Sequence, residues 1–258
     1  MGLLQDHVVL VSGGTQGVGL AIARAAAAEG ARLVLTGRRV EVGERAAAEL
    51  RSAGVDCRFV ACDVADVDAC RAAVEETVRL HGRIDGLVNA AGFTERGTLL
   101  EETPEQFDRH VAINLRGPFF LMQAAVADMV GRGEPGAVVN VITMSAHGGQ
   151  PYLAAYAATK AALVGLTKNA AHAHRFDRVR INGINIGWTD SEGEDAIQRR
   201  FHDAGDDWRE EAGRRLPAGR LASPEDVTGL AVLLLSPASG VVTGSVVDWD
   251  QTVPGASD

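Results

Sequence analysis

The stretch VVLVSGGTQGVGLAIARAAA, residues 8–27, constrains the fold more than any other part of the chain. An apolar run leads into a cluster of glycines and then directly into an alanine-rich helical pattern. Gly13, Gly17 and Gly19 stand at G-x-x-x-G-x-G spacing. The first glycine permits a tight turn, the second lets backbone N–H groups approach a pyrophosphate, and the third lets helix and strand pack closely. The helix N-terminus adds unpaired donors and a partial positive charge. Glycines alone are a weak signal. Placed after a first strand and before an amphipathic helix, they predict a dinucleotide-binding turn, with Thr15, Gln16 and Val18 between and beside them.

The rest of the chain repeats that unit. HVVLVS, RLVLT, CRFVAC, IDGLVN, AVVNVIT, RINGINI and SVVDWD are short β-rich runs, most of them continuously apolar, as parallel strands covered on both faces require. Helical patterns fall between them near residues 18–29, 40–53, 66–81, 104–131, 152–175 and 224–235. Thr103 and Ser223 are the expected N-caps of two of these, each followed by proline. The alternation predicts right-handed βαβ units in one α/β domain over residues 1–258, a Rossmann-like, doubly wound, parallel seven-stranded sheet. Residues 188–219, charged and weakly periodic, break the rhythm between the last two units. An insertion there falls at the carboxyl ends of the strands, and is expected to form a lid over a ligand site.

Several function classes are excluded by composition. Net charge is −9, and basic residues never run beyond pairs such as Arg38-Arg39, so neither nucleic acid nor an anionic membrane is an expected partner. Cys57, Cys62 and Cys70 form no C-x-x-C and read as free thiols of a reducing compartment. His172-x-His174 alone makes no metal site, and none is expected. The opening MGLLQD lacks the features of a signal peptide, and no apolar run is long enough to span a bilayer, so the expected location is cytoplasmic.

Two further patterns bear on chemistry. In AAYAATKAAL, residues 154–163, Tyr156 and Lys160 lie four apart on a helical pattern. The chain has only two tyrosines and two lysines, and otherwise uses arginine for its cations. A lysine here supplies a compact ammonium with rotatable donors, which arginine does not. The second strand ends in LVLTGRR. Where an NAD-selective fold places a carboxylate for the ribose hydroxyls, this chain has Gly37, Arg38 and Arg39. No acid there repels a 2′-phosphate and a guanidinium can pair with one, so NADP(H) is favoured, with NAD(H) the second candidate.

Taken together, the glycine turn and Y-x-x-x-K resemble the short-chain dehydrogenase/reductase family, and the resemblance covers nearly the whole chain. CDV puts Asp63, with Val64 after it, where the family contacts adenine. NAAG, Asn89, Ala90, Ala91 and Gly92, is similar to the segment that lies along the cofactor. INLRGPFF places Asn114 at the family's helix asparagine, which helps hold the lysine and a proton-relay water. The resemblance implies that the tyrosine exchanges a proton with the substrate oxygen while nicotinamide exchanges hydride, and that Lys160 also binds the nicotinamide ribose. A free phenol has a pKa of about 10, and a nearby ammonium is expected to lower it. The family's substrate-binding serine falls at Thr143, which offers the same hydroxyl. Ser145 is the alternative, since positions two apart in a strand share a face. The resemblance further implies a homotetramer, or a homodimer, built through the long helices that carry Asn114 and Tyr156.

On the substrate side the chain departs from the family. The usual Pro-Gly becomes Ile186-Gly187, the carboxamide-contacting threonine becomes Ser191, and the C-terminal Asp-Gly-Gly becomes DQT at residues 250–252. Trp188 with Asp190, Glu192, Glu194 and Asp195 is expected to form an aromatic and acidic wall. With His147 and Gln150 it suggests a small hydroxyl-rich substrate, a sugar or polyol. The principal expectation is an alcohol dehydrogenase or ketone reductase. Its alternatives are a 3-oxoacyl thioester reductase of the same fold and a cofactor-sensing protein that has lost the chemistry.

Overall fold

Continuously apolar strands need cover on both faces, and the computed structural model, which describes residues 2–255, supplies it. Seven strands form one parallel sheet: β1 (Val8–Ser12), β2 (Arg32–Gly37), β3 (Cys57–Ala61), β4 (Gly86–Asn89), β5 (Gly136–Thr143), β6 (Val179–Ile186) and β7 (Val246–Trp249). Their order is β3-β2-β1-β4-β5-β6-β7. Alternate residues of each strand enter opposite layers. Val9, Val11, Leu33 and Leu35 pack with α1 (Gly17–Ala28), α2 (Val40–Ser52) and α9 (Thr228–Leu235). Leu10, Val34 and Leu87 pack with α3 (Val67–His81), α5 (Gly117–Arg132) and α6 (Ala154–Ala173). Full burial of each such side chain contributes about 1.5–3 kcal/mol, so the two-sided pattern fixes the register.

The chain runs from β1 outward through β2 and β3, then crosses back to β4 on the other side of β1. The crevice at that reversal is where open α/β sheets receive ligands.

The sequence pattern and the structure differ in three places. The pattern at 104–131 is not one α-helix. It is α4 (Pro104–Val111), a π-helical turn over Ala112–Arg116, and α5. Thr103 does cap α4, accepting from the Gln106 N–H at 3.2 Å. The pattern at 224–235 opens with a 3-10 turn before α9, where the Ser223 N–H donates to the Asp226 carboxylate at 2.7 Å. The insertion after β6 folds into α7 (Glu192–Phe201) and α8 (Trp208–Gly213) around a small apolar cluster of its own, Trp208, Ala212 and Leu221. Among the described residues no helix is long and apolar enough to cross a membrane.

Candidate active site

A cleft of about 1520 Å³ opens beyond the carboxyl ends of the central strands. Its floor at one end is the glycine turn. Gly13 has φ +74°, and a Cβ there would lie 2.6 Å from the Ala91 nitrogen, so this turn and the 90–92 segment meet backbone to backbone. A Cβ on Gly19 would run into the Gly13 carbonyl, which is the close helix–strand packing that its spacing suggested. At Gly17, φ +52°, the added atom would meet only Ser191 Cβ, at 3.7 Å. The side chain of Gln16 does not cap α1, which leaves the first N–H groups of that helix unpaired beside the cleft. Open space next to unpaired donors at a helix N-terminus fits a dinucleotide pyrophosphate.

The other cofactor-side candidates gather there, with one exception. Thr15, Gln16, Val18, Arg38, Arg39, Asp63, Val64, Ala90, Ala91 and Gly92 all line the cleft. Arg39 donates to the Gln16 side chain, and Asp63 accepts the Ala65 N–H at 3.0 Å. Asn89 is the exception. Its amide donates to Asn140, its register partner on β5, at 2.8 Å, and Asn89 does not line the cleft.

At the centre of the cleft α6 presents Tyr156 and Lys160 one turn apart, with Nζ 6.0 Å from the phenol ring centroid. Lys160 is buried and donates to the Val141 carbonyl at 3.1 Å. Burial pulls its ammonium down to about 8. Burial likewise pushes Tyr156 up to about 12, although part of its ring opens on the cleft, while the neighbouring Thr143 hydroxyl acts to lower it. The ammonium is turned to a backbone carbonyl, and desolvation is the leading cause of the shift in both groups.

Asn114 lies in the π-helical turn and is fully buried. It accepts the Phe93 N–H at 2.9 Å and donates to the Phe93 carbonyl at 2.8 Å, clamping the segment that follows Gly92. A third contact, to Thr159 at 3.3 Å, reaches α6. The asparagine side chain thus bonds Phe93 and Thr159. Thr143 ends β5, buried beside the phenol. Ser145 does not share its strand face, because the chain turns into a 3-10 helix over Met144–His147, with Thr143 Oγ1 accepting the Ser145 N–H at 3.2 Å. The Ser145 hydroxyl accepts from the Thr143 hydroxyl at 3.4 Å and donates to Gln150 at 2.5 Å.

The outer wall is the insertion, and it corrects the acidic-wall expectation. Asp190 is bound by Arg209 at 2.8 Å, and Asp195 by Arg199 at 3.0 Å and Arg209 at 2.9 Å. Of the four acids, only Glu194 lines the cleft; Asp190, Glu192 and Asp195 do not. Trp188 donates to Glu194 at 2.8 Å and stacks on Trp208, ring centroids 6.2 Å apart. Ser191 lines the cleft but caps α7, accepting the Glu194 N–H at 3.1 Å. Gly187 is pressed against the Asp250 carboxylate, and His147 is held by Asp248 at 3.0 Å.

Sequence reasoning missed Phe93, Arg96, His110 and His202. Phe93 and Arg96 follow the cofactor-lining segment by one and four residues, which was a usable signal. His110, buried with its ring centroid 6.5 Å from that of Tyr156, precedes Asn114 by one helical turn. His202 gave no signal, since it reaches the site only through the fold of the insertion.

The model of the family described as enoyl-(acyl carrier protein) reductase matches residues 13–251. The chain is 31% identical to a sorbitol dehydrogenase of Cereibacter sphaeroides, over 96% of this chain and 97% of that one. It is 30% identical to a galactitol 2-dehydrogenase of Agrobacterium fabrum, over 96% and 97%. A variant of the actinorhodin polyketide ketoreductase, solved with NADPH, superposes with a TM-score of 0.93 at 28% identity, over 99% of this chain and 100% of that one.

Proposed function

The chain belongs to the short-chain dehydrogenase/reductase family, an oxidoreductase acting on CH–OH groups with NAD or NADP, and we propose that it interconverts a secondary alcohol and a ketone on a polyol or sugar, using NADP(H). The observation that carries this reading is the meeting of Tyr156, Lys160 and Thr143 in one cleft with the glycine turn.

In this reading the coenzyme, when bound, supplies or accepts the hydride. The N–H groups at Gly17, Val18 and Gly19 hold its diphosphate, and Asp63 and Val64 flank its adenine. Arg38 and Arg39 face a 2′-phosphate. Lys160, beside Gly92, holds the nicotinamide ribose, and Gly187 and Ser191 border the nicotinamide. Tyr156 holds the proton that the substrate oxygen gains on reduction or gives up on oxidation. Thr143 orients that oxygen by a hydrogen bond. Asn114 keeps the 93 segment, and through Thr159 the Tyr156 turn, in place. Residues 188–219 act as a lid that excludes water.

Support for a hydroxyl-rich substrate comes from polar groups that line the same cleft as the phenol, Ser145, Gln150, Gln198 and His202, and from the exposed face of Trp188. Polar groups that converge on an aromatic surface suit a sugar better than a plain hydrocarbon. The sorbitol and galactitol dehydrogenases similar to this chain point the same way. A 3-oxoacyl thioester reductase is the second reading, favoured by the matched family description and by the polyketide ketoreductase likeness. Net charge −9 weighs against docking an acidic carrier protein. Turnover of sugars, polyols, acyl thioesters and steroids with either coenzyme tests the two, and activity confined to thioesters or steroids overturns the polyol reading.

A further inference from the structure

We infer that Arg96 receives a carboxylate of the substrate, so that the site takes sugar acids in preference to neutral polyols. The inference deepens the alcohol–ketone reading proposed above and rests on it, but its test measures binding and requires no turnover.

A guanidinium carries five N–H donors in a planar fork that matches a carboxylate. Arg96 lines the cleft with its side chain only 13% exposed, and among the described residues just one of those donors finds a hydrogen-bond partner. Nε donates to His202 Nε2 at 3.3 Å. Glu194 comes only to 3.8 Å, too far for a hydrogen bond. The same carboxylate oxygen already accepts from Trp188 at 2.8 Å and from Gln198 at 2.7 Å. The terminal N–H groups of a largely desolvated cation are thus left without protein partners, an arrangement that costs the fold and favours an anion.

Contacts tie Arg96 to the reacting centre. The backbone beside it is bonded to the entry of α6: the Gly97 N–H donates to the Tyr152 carbonyl at 3.0 Å, and the Ala154 N–H to the Gly97 carbonyl at 3.2 Å. The guanidinium lies 5.3 Å from the ring centroid of Tyr152, which is four residues ahead of Tyr156. Phe93, three residues before Arg96, meets His110 at 4.7 Å between ring centroids, and His110 meets Tyr156 at 6.5 Å. From the Thr143 hydroxyl, Ser145 at 3.4 Å and then Gln150 at 2.5 Å lead to a point two residues short of Tyr152. A polyhydroxy chain with its carbinol at Tyr156 and Thr143 would find hydroxyl partners in Ser145 and Gln150 and end at Arg96. The nearby Glu194 carboxylate offsets part of the positive charge and repels a second negative one, so a singly charged carboxylate is received better than a phosphate dianion.

Gluconate, sorbitol and sorbitol 6-phosphate share one carbon skeleton and differ in the charge at one end. Each is titrated calorimetrically into the NADPH complex, where an alcohol finds no hydride acceptor and cannot react. Gluconate is expected to bind the parent about tenfold or more tighter than sorbitol. Arg96→Gln removes that preference, weakening gluconate about tenfold and leaving sorbitol within about twofold of the parent. Arg96→Lys, which keeps the charge without the fork, restores part of it. Circular dichroism and NADPH affinity show that each variant is folded, and if Arg96→Gln is not, Arg96→Lys carries the comparison, with gluconate alone weakened. No gluconate binding, equal binding of gluconate and sorbitol to the parent, equal loss of both in the variant, or preference for the phosphate each overturns the inference. Gluconate binding that depends on Arg96, without turnover of any alcohol in the substrate panel, overturns the proposed activity alone.

Discussion

The ammonium of Lys160 donates to the main-chain carbonyl of Val141 at 3.1 Å, tying the middle of α6 to the strand that ends at Thr143. That single bond leaves two of its three N–H groups free at the cleft, next to Gly92. Such an arrangement is costly for the fold and useful for a ligand.

Lys160→Met is therefore expected to stabilise the protein while abolishing turnover. Burial lowers the folded value to about 8 from 10.5. Below pH 8 the lysine is charged in both states and the cost is fully present. Between 8 and 10.5 the native state sheds its proton first, the unfolded chain binds more protons, and native stability rises with pH. At neutral pH the substitution gains up to about 3 kcal/mol, and the gain shrinks as pH passes through that window. Denaturant unfolding of parent and variant at a series of pH values checks the direction.

Tyr156→Phe keeps the ring and loses the hydroxyl that would carry the proton. Turnover is expected to fall by about 100-fold or more, with NADPH affinity unchanged. Steady-state rates alongside coenzyme fluorescence titration separate the two effects. A variant as active as the parent refutes the assignment.

Thr143 and Ser145 have different surroundings, so their alanine variants are expected to diverge. Thr143→Ala removes an oriented donor worth about 2.7–4 kcal/mol and should cost about 100- to 1,000-fold in kcat. Thr143→Ser restores most of it. Ser145→Ala, whose hydroxyl already serves Gln150, is expected to cost far less. The reverse ranking would exchange their roles.

Arg38 and Arg39 stand at the end of β2 with no carboxylate at Gly37. Arg38→Asp is expected to move coenzyme preference toward NAD, read as the ratio of kcat/KM for the two coenzymes. An unchanged ratio places the 2′-phosphate elsewhere.

The sheet and the glycine turn were legible because each rests on local chemistry: continuous apolar runs such as Val8–Val11 admit only a doubly covered strand, and the contacts of Gly13 and Gly19 leave no room for a side chain. The Tyr156–Lys160 pair was legible from helical spacing. The environment of the pair was not, because desolvation depends on what other segments place around it. The route by which Ser145 nears Thr143 was not legible: the strand ends at Thr143, and a 3-10 turn, not strand alternation, brings the two hydroxyls within 3.4 Å. The acids at 190–195 were misread because Arg199 and Arg209, which neutralise two of them, reach them only once the insertion has folded.

The turn over Ala112–Arg116 holds one residue more than an α-helix would, with the Gly117 N–H reaching back five residues to the Ala112 carbonyl. A chain shortened by a single residue there could rewind into an unbroken helix at little cost to packing. Every side chain ahead of the cut would then swing about 100° around the axis relative to α5. Asn114 would lose Phe93, and the proposed active site would come apart inside an open sheet and its helical layers that still melt as one. Indel length at this spot, more than residue identity, is where the lineage of such a protein could part from its chemistry.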